Sequence, residues 1–248
     1  MMKRNLILAS LAITAAFAFY FYTSVSIPSG QLLKEHPLIQ ETTAIPADSP
    51  LNEMVYLPEQ SIEEQEAEKM LKNLHQIHPA ILKAAKDQGV VIKLFEGKLT
   101  EEKGLKHLDG LTPKGRSEKA GWESVPGMTE DNRVYVKIGM SEYGMGHGSV
   151  SLELHEFAHA ADLNVFSRVR SNPLYLNIWK KEAGMLFSDQ TYFKRFPEEY
   201  FAEIFAMYYY SRETRIKLKE MAPLSYQFIA NLYKSTVENG ADFRYNYH

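Results

Sequence analysis

His155, Glu156 and His159 stand in the string His155-Glu156-Phe157-Ala158-His159, a pattern of two histidines four residues apart with an acid between them. On a helix, residues four apart stack on one face, so the two imidazoles point at one place while Glu156 flanks it. Two neutral imidazoles suit zinc, and a third protein ligand would complete a set that leaves one position open to water, whose pKa falls to roughly 7 there. Glu156 is the group placed to take that water's proton, and the pattern therefore predicts metal-assisted hydrolysis.

The third ligand must be a carboxylate or histidine from another element, and Pro197-Glu198-Glu199-Tyr-Phe-Ala-Glu203 is the outstanding segment. Pro197 suits the first position of a helix, and Glu199 and Glu203 share a face bordered by Phe, Ala and Ile. Glu198 and Glu199 also suit a helix N-terminus simply as acids facing the dipole, an explanation that weakens for Glu203 beyond the first turn. The geometry assigns Glu199 as ligand and Glu203 as the acid that accepts a hydrogen bond from the outer nitrogen of a zinc-bound histidine. Tyr192 precedes Glu199 by seven residues; its phenol is either an oxyanion donor or ordinary packing.

These groups need elements to hold them. Ser149 and Ser151 are the expected N-caps of the histidine-bearing helix, and Leu154, Phe157, Ala158, Ala161 and Val165 give it helical periodicity. Ser61-Ile-Glu-Glu64 reads as a capping box for an earlier helix with Met70, Leu71, Leu74 and Ile77 as its apolar stripe; Pro79 begins another, ended by Gly89. Strands are expected at Val90–Phe95 and Arg133–Ile138, flanking a loop-rich stretch that contains Trp122. Beyond Pro173, helices are expected over 174–187, 197–210, 213–221 and 223–237.

The 248 residues carry 45% hydrophobic and 24% charged side chains, a formal charge of −3 and a pI near 6.3. Charges of both signs are interspersed, which speaks against a nucleic-acid partner. Cysteine is absent, so disulfides, thiolate ligands and a cysteine nucleophile are excluded and a metal would rest on His and carboxylates. Lys3 and Arg4 followed by an uncharged run from Asn5 to Ile27 read as an export signal cleaved after Ser26, or as an uncleaved membrane anchor through residues 5–27.

Taken together, several ordered motifs resemble a known family: Gly146-His147-Gly148, Leu152-Glu153-Leu154-His155-Glu156 with Ala158-His159-Ala160, Tyr192, Pro197-Glu198-Glu199 with Phe201-Ala202-Glu203, and Ala222-Pro223 with Ser225-Tyr226 and Phe228. The resemblance, from about Val90 to Leu232, is to the secreted bacterial Pro-Pro endopeptidases and, more distantly, to the protease domain of anthrax lethal factor. It implies one zinc ion on His155, His159 and Glu199, Glu156 as general base, and assistance from Tyr192. Leu111-Thr112-Pro113 and Trp122 with Val125-Pro126-Gly127 are similar to the family's substrate-facing segment, which puts Trp122 against a proline-rich protein substrate; Trp122 read alone is also a plausible core residue.

The expected architecture is an α+β, zincin-like metallopeptidase domain, a small sheet plus a helical half, over residues 61–237. It follows a signal peptide or anchor (1–26) and a linker or N-terminal arm (27–60), and precedes a tail (238–248). The expected activity is a secreted endopeptidase that hydrolyses the bond between two prolines in exposed segments of bacterial surface proteins. The competing readings are a lethal-factor-like peptidase of other specificity and an exported interaction module without catalysis. A degenerate module predicts a damaged site, whereas both His, both Glu and the Tyr stand together here.

Overall fold

The computed structural model describes residues 28–37, 45–60, 62–113 and 121–238. A five-stranded mixed sheet packs against helices, the α+β arrangement expected, with two core helices side by side carrying the histidines and glutamates. Strands β1 (Gln31–Leu32), β2 (Val55–Leu57), β3 (Val91–Phe95), β4 (Gly127–Glu130) and β5 (Arg133–Lys137) lie in the order β1-β2-β3-β5-β4. The central pairs, β2 with β3 and β3 with β5, are parallel; the outer pairs are antiparallel. Val91–Phe95 is an almost unbroken apolar run, as a strand covered on both faces requires.

The sheet holds three strands that the sequence did not declare. Residues 27–60, expected as a linker or arm, supply β1 and β2 in their described part and bury Leu33, Ile45, Leu51, Met54, Val55 and Leu57 in the main core. The described part of that stretch therefore packs on the domain in the manner of an ordered arm and not of a free linker. The arm's strands are two and three residues long, too short to show a period of two; β2 forms on the edge that β3 offers and β1 on the edge of β2. Likewise β4 begins at Gly127, directly after Pro126 in what reads as a turn. The export signal or anchor expected over 1–26, and the tail beyond residue 238, lie outside the described residues.

Helices α1 (Glu64–His75) and α2 (Pro79–Asp87) bury the expected stripe of Met70, Leu71, Leu74 and Ile77, together with Ile81, in the main core. The N-cap of α1 is Glu63 without a side-chain cap bond, so the expected capping box does not set the helix start, and Ser61 lies outside the described residues. The helical half follows: α3 (Leu152–Asn164), α4 (Pro173–Leu186), α5 (Thr191–Arg195), α6 (Pro197–Tyr210), α7 (Arg212–Met221) and α8 (Pro223–Glu238). Helices α3 and α6 are buried on most sides, α3 lying between the sheet, where it meets β4 and β5, and α6. They pack along each other through Phe157 and Phe205, whose ring centroids are 6.1 Å apart. Among the described residues, no helix is long and apolar enough to cross a membrane.

Candidate active site

Helix α3 starts without the serine caps expected of it. Ser151 does occupy the N-cap position, but its hydroxyl makes no cap bond. The surrounding chain satisfies the exposed amides instead: Leu152 N–H donates to Ser141 O at 2.9 Å, and Val150 N–H, just before the helix, donates to a carboxylate oxygen of Glu203 at 3.0 Å. Below this, Glu153 is fully buried and its Oε1 accepts from Asn73 Nδ2 at 2.7 Å and Ser141 Oγ at 2.8 Å. Burial pushes its carboxyl above the usual carboxylate range. This clamp between α1, the loop after β5 and α3 fixes the rotation of the histidine helix. Nothing in the local sequence marked it, because Asn73 is 80 residues away.

With α3 so held, His155 and His159 face α6. Their Nε2 atoms lie 3.3 and 3.5 Å from one oxygen, Oε2 of Glu199. His155, His159 and Glu199 thus offer two imidazole nitrogens and a carboxylate oxygen, all within 4.8 Å of one another, and could hold a metal ion. On the far side of the His155 ring, Nδ1 lies 3.1 Å from Oε2 of Glu203. Glu203 is buried, and its two oxygens are used by the Val150 amide and His155. One turn of α6 therefore places one carboxylate at each nitrogen of His155.

The electrostatics of this cluster favour a positive charge inside it. Burial alone would depress His155, but hydrogen bonding to Glu199 and Glu203 outweighs it and raises the imidazole to about 10. Burial would likewise raise Glu199, yet His155 and His159 hold it far below the usual carboxylate range. A nitrogen–oxygen donor set without thiolate, backed by a further carboxylate on an outer histidine nitrogen, fits a borderline divalent cation such as zinc.

Glu156 follows His155 on α3 and turns toward the sheet, where the Thr129 hydroxyl of β4 lies 2.9 Å from its Oε2 and 2.7 Å from its carbonyl oxygen. Tyr192 is on α5, a five-residue helix absent from the sequence expectations. That helix is pinned by Trp179, whose indole N–H donates to Phe193 O at 2.9 Å. The Tyr192 ring is half exposed against Phe196, and partial burial followed by the nearby Glu199 carboxylate raises its phenol well above its ordinary value, so the hydroxyl keeps its proton. The structure thus brings His155, His159, Glu199, Glu203, Glu156 and Tyr192 to one place.

Trp122 packs on a different cluster from the histidine helix. It opens a short 3-10 turn, Trp122–Ser124, and lies half-buried on a small second core of Phe95, Leu99, Leu105, Val125 and Tyr135. The segment 114–120 that leads into it is outside the described residues. Sequence reading missed Thr129, Trp179 and the Asn73–Ser141–Glu153 clamp. A lone Thr in a short strand, a Trp on a helix and an acid two places before His155 each have a plain packing explanation, and only their partners give them meaning.

Comparison with known proteins places this arrangement in context. Residues 39–232 match the family described as anthrax toxin lethal factor, N- and C-terminal domain. The chain is 39% identical over 198 residues to a Pro-Pro endopeptidase of Paenibacillus alvei, spanning 79% of this chain and 91% of that protein. It is 38% identical over 185 residues to a Pro-Pro endopeptidase of Clostridioides difficile, spanning 74% and 83%. The solved structure of the Paenibacillus alvei Pro-Pro endopeptidase matches with a TM-score of 0.69 at 40% identity, covering 72% of this chain and 97% of that one.

Proposed function

We propose, from the premise that this chain belongs to the family of the anthrax lethal factor domain and the Pro-Pro endopeptidases, that it is a zinc-dependent endopeptidase that hydrolyses the bond between two prolines. The observation that supports this most directly is the convergence of His155 and His159 of α3, which also carries Glu156, with Glu199 of α6. Zinc bound by those three side chains would polarise the scissile carbonyl and acidify the attacking water. Glu203 fixes the His155 ring from behind and keeps its proton on Nδ1. Glu156 accepts the water's proton and delivers it to the nitrogen of the departing proline, which as a secondary amine must be protonated to leave. Tyr192, its phenol protonated, donates to the carbonyl oxygen as charge develops there.

Proline on both sides of the scissile bond fixes two φ angles and removes a backbone donor, so the substrate has to be read by shape rather than by main-chain hydrogen bonding. Trp122 supplies an aromatic wall for pyrrolidine rings, at the rim of the second core and next to the segment that leads into β4. We assign the enzyme to the outside of a bacterial cell, exported by the positively flagged apolar N-terminus, with flexible proline-rich stretches of surface proteins as substrates. The test is a peptide library with a central Pro-Pro against libraries with Ala at either proline. Cleavage confined to the parent library, lost in Glu156→Gln with zinc retained and relaxed in Trp122→Ala, is the expected result. Equal cleavage of the Ala libraries would leave a zinc peptidase of other specificity.

A further inference from the structure

We infer that Thr129 is a positioning residue for catalysis: its hydroxyl anchors the carboxylate of Glu156 and so sets where the base stands relative to the histidine pair. The inference rests on the proposed role of Glu156 as base and adds to it a residue from the sheet.

The contact follows from how β4 lies against α3. Gly127 and Thr129, two apart on the strand, present the same face, and so do Leu152 and Glu156, four apart on the helix. Two residues of strand advance about 6.7 Å and four residues of helix about 6 Å, so the two pairs can meet in step. They do meet. A Cβ on Gly127 would stand 3.1 Å from a methyl carbon of Leu152 and 3.1 Å from Tyr135 O, tighter than ordinary packing, so a side chain there would push the strand and helix apart by a few tenths of an ångström. One step on, Thr129 Oγ1 reaches 2.9 Å from Glu156 Oε2.

The same hydroxyl lies 2.7 Å from the carbonyl oxygen of Glu156, and it has one proton to give. That carbonyl is in the body of the helix, where the amide four residues on is its regular donor. For the carboxylate, Thr129 is the one side-chain hydrogen-bond donor among the described residues. A glutamate on a helix surface otherwise keeps its rotamer freedom, and a base must be within hydrogen-bond reach of one particular proton. Holding Oε2 by Thr129 leaves Oε1 as the oxygen to act. Strand β4 is the outer strand of the sheet and is itself locked to β5 through the Thr129–Val134 pairing, so the anchor is rigid on the protein side.

The test compares Thr129→Val, which keeps the shape and removes the hydroxyl, with Thr129→Ser, which keeps the hydroxyl, both in the zinc-loaded full chain. Thr129→Val should lower kcat about 10- to 100-fold with KM, zinc content and Tm close to the parent, and Thr129→Ser should restore kcat to within a few-fold. A crystal structure of Thr129→Val should show the Glu156 carboxylate rotated or in several positions. Adding Thr129→Val to Glu156→Gln should leave the residual rate unchanged, because the anchor acts only through the base. The inference is overturned if Thr129→Val keeps the parent's kcat, if serine fails to rescue, or if kcat falls only in proportion to lost zinc or a lowered Tm, which would make the contact a strand–helix tie. If Glu156→Gln alone retains full turnover, the role of Glu156 fails instead, and that outcome is separable because it appears without any change at Thr129.

Discussion

Removing the proton from His155 is a step that metal loading must include, and its size can be worked out from the site. In the metal-free protein, Glu199 and Glu203 at its two nitrogens raise His155 to about 10 despite burial, so at pH 7.5 it is almost fully protonated. An ordinary histidine, with a pKa of about 6.5, would be only about one-tenth protonated there. A metal held by Nε2, the nitrogen facing Glu199, would replace the proton there, and Glu203 would keep the other proton on Nδ1. Zinc binding should therefore release close to one proton from His155, and the contribution of this group should make the apparent affinity rise about tenfold per pH unit below about 10, where it levels. Displacing that proton at pH 7.5 costs on the order of 3 kcal/mol. The assay is calorimetric titration of metal-free protein with chelator-buffered zinc, repeated in buffers of different ionisation heat to count protons. Glu203→Gln removes one of the two carboxylates, so it should lower both the proton count at pH 8 to 9 and the zinc affinity, the latter by about 10- to 100-fold. A count near one-tenth at pH 7.5, or one that Glu203→Gln leaves untouched, would refute the reasoning.

The same group makes the metal-free protein pH-sensitive in a fixed direction. A folded-state pKa raised above the unfolded value stabilises fully below about 6.5 and loses that contribution as pH climbs to about 10, so the Tm of the metal-free chain should fall across that window while the zinc-loaded chain does not share this loss; parallel melting curves from pH 6 to 10 decide it. The N-terminal arm should prove part of the domain: Gly30 has φ +101°, and a Cβ there would meet Leu57 O at 2.2 Å, so Gly30→Ala should cost about 2–4 kcal/mol and lower Tm by about 5–10 °C. A linker would leave Tm unchanged.

Local periodicity made the catalytic helix legible. His155 and His159 share a face because any helix puts residues four apart together, and Pro197 followed by Glu199 and Glu203 announced its partner in the same way. The sequence could also say that a second helix had to supply the third ligand, since two histidines alone leave the set incomplete. It could not say how the two helices are staggered. Only the packing of α3 on α6 puts Glu199 at Nε2 and Glu203 at Nδ1 of the same ring, and only the clamp from Asn73 and Ser141 onto Glu153 sets the rotation that aims both histidines at α6. Strand pairing was less legible still: Val91–Phe95 and Arg133–Lys137 declare themselves by composition, whereas Gln31–Leu32, Val55–Leu57 and Gly127–Glu130 become strands because an edge is waiting for them. The contact of Thr129 with Glu156 belongs to this second kind. It joins residues 27 apart through the register of a strand against a helix, and no window of sequence contains that register. A helix carries its hydrogen bonds and side-chain geometry within one segment, while a sheet and the spacing between layers are settled only when distant segments pack.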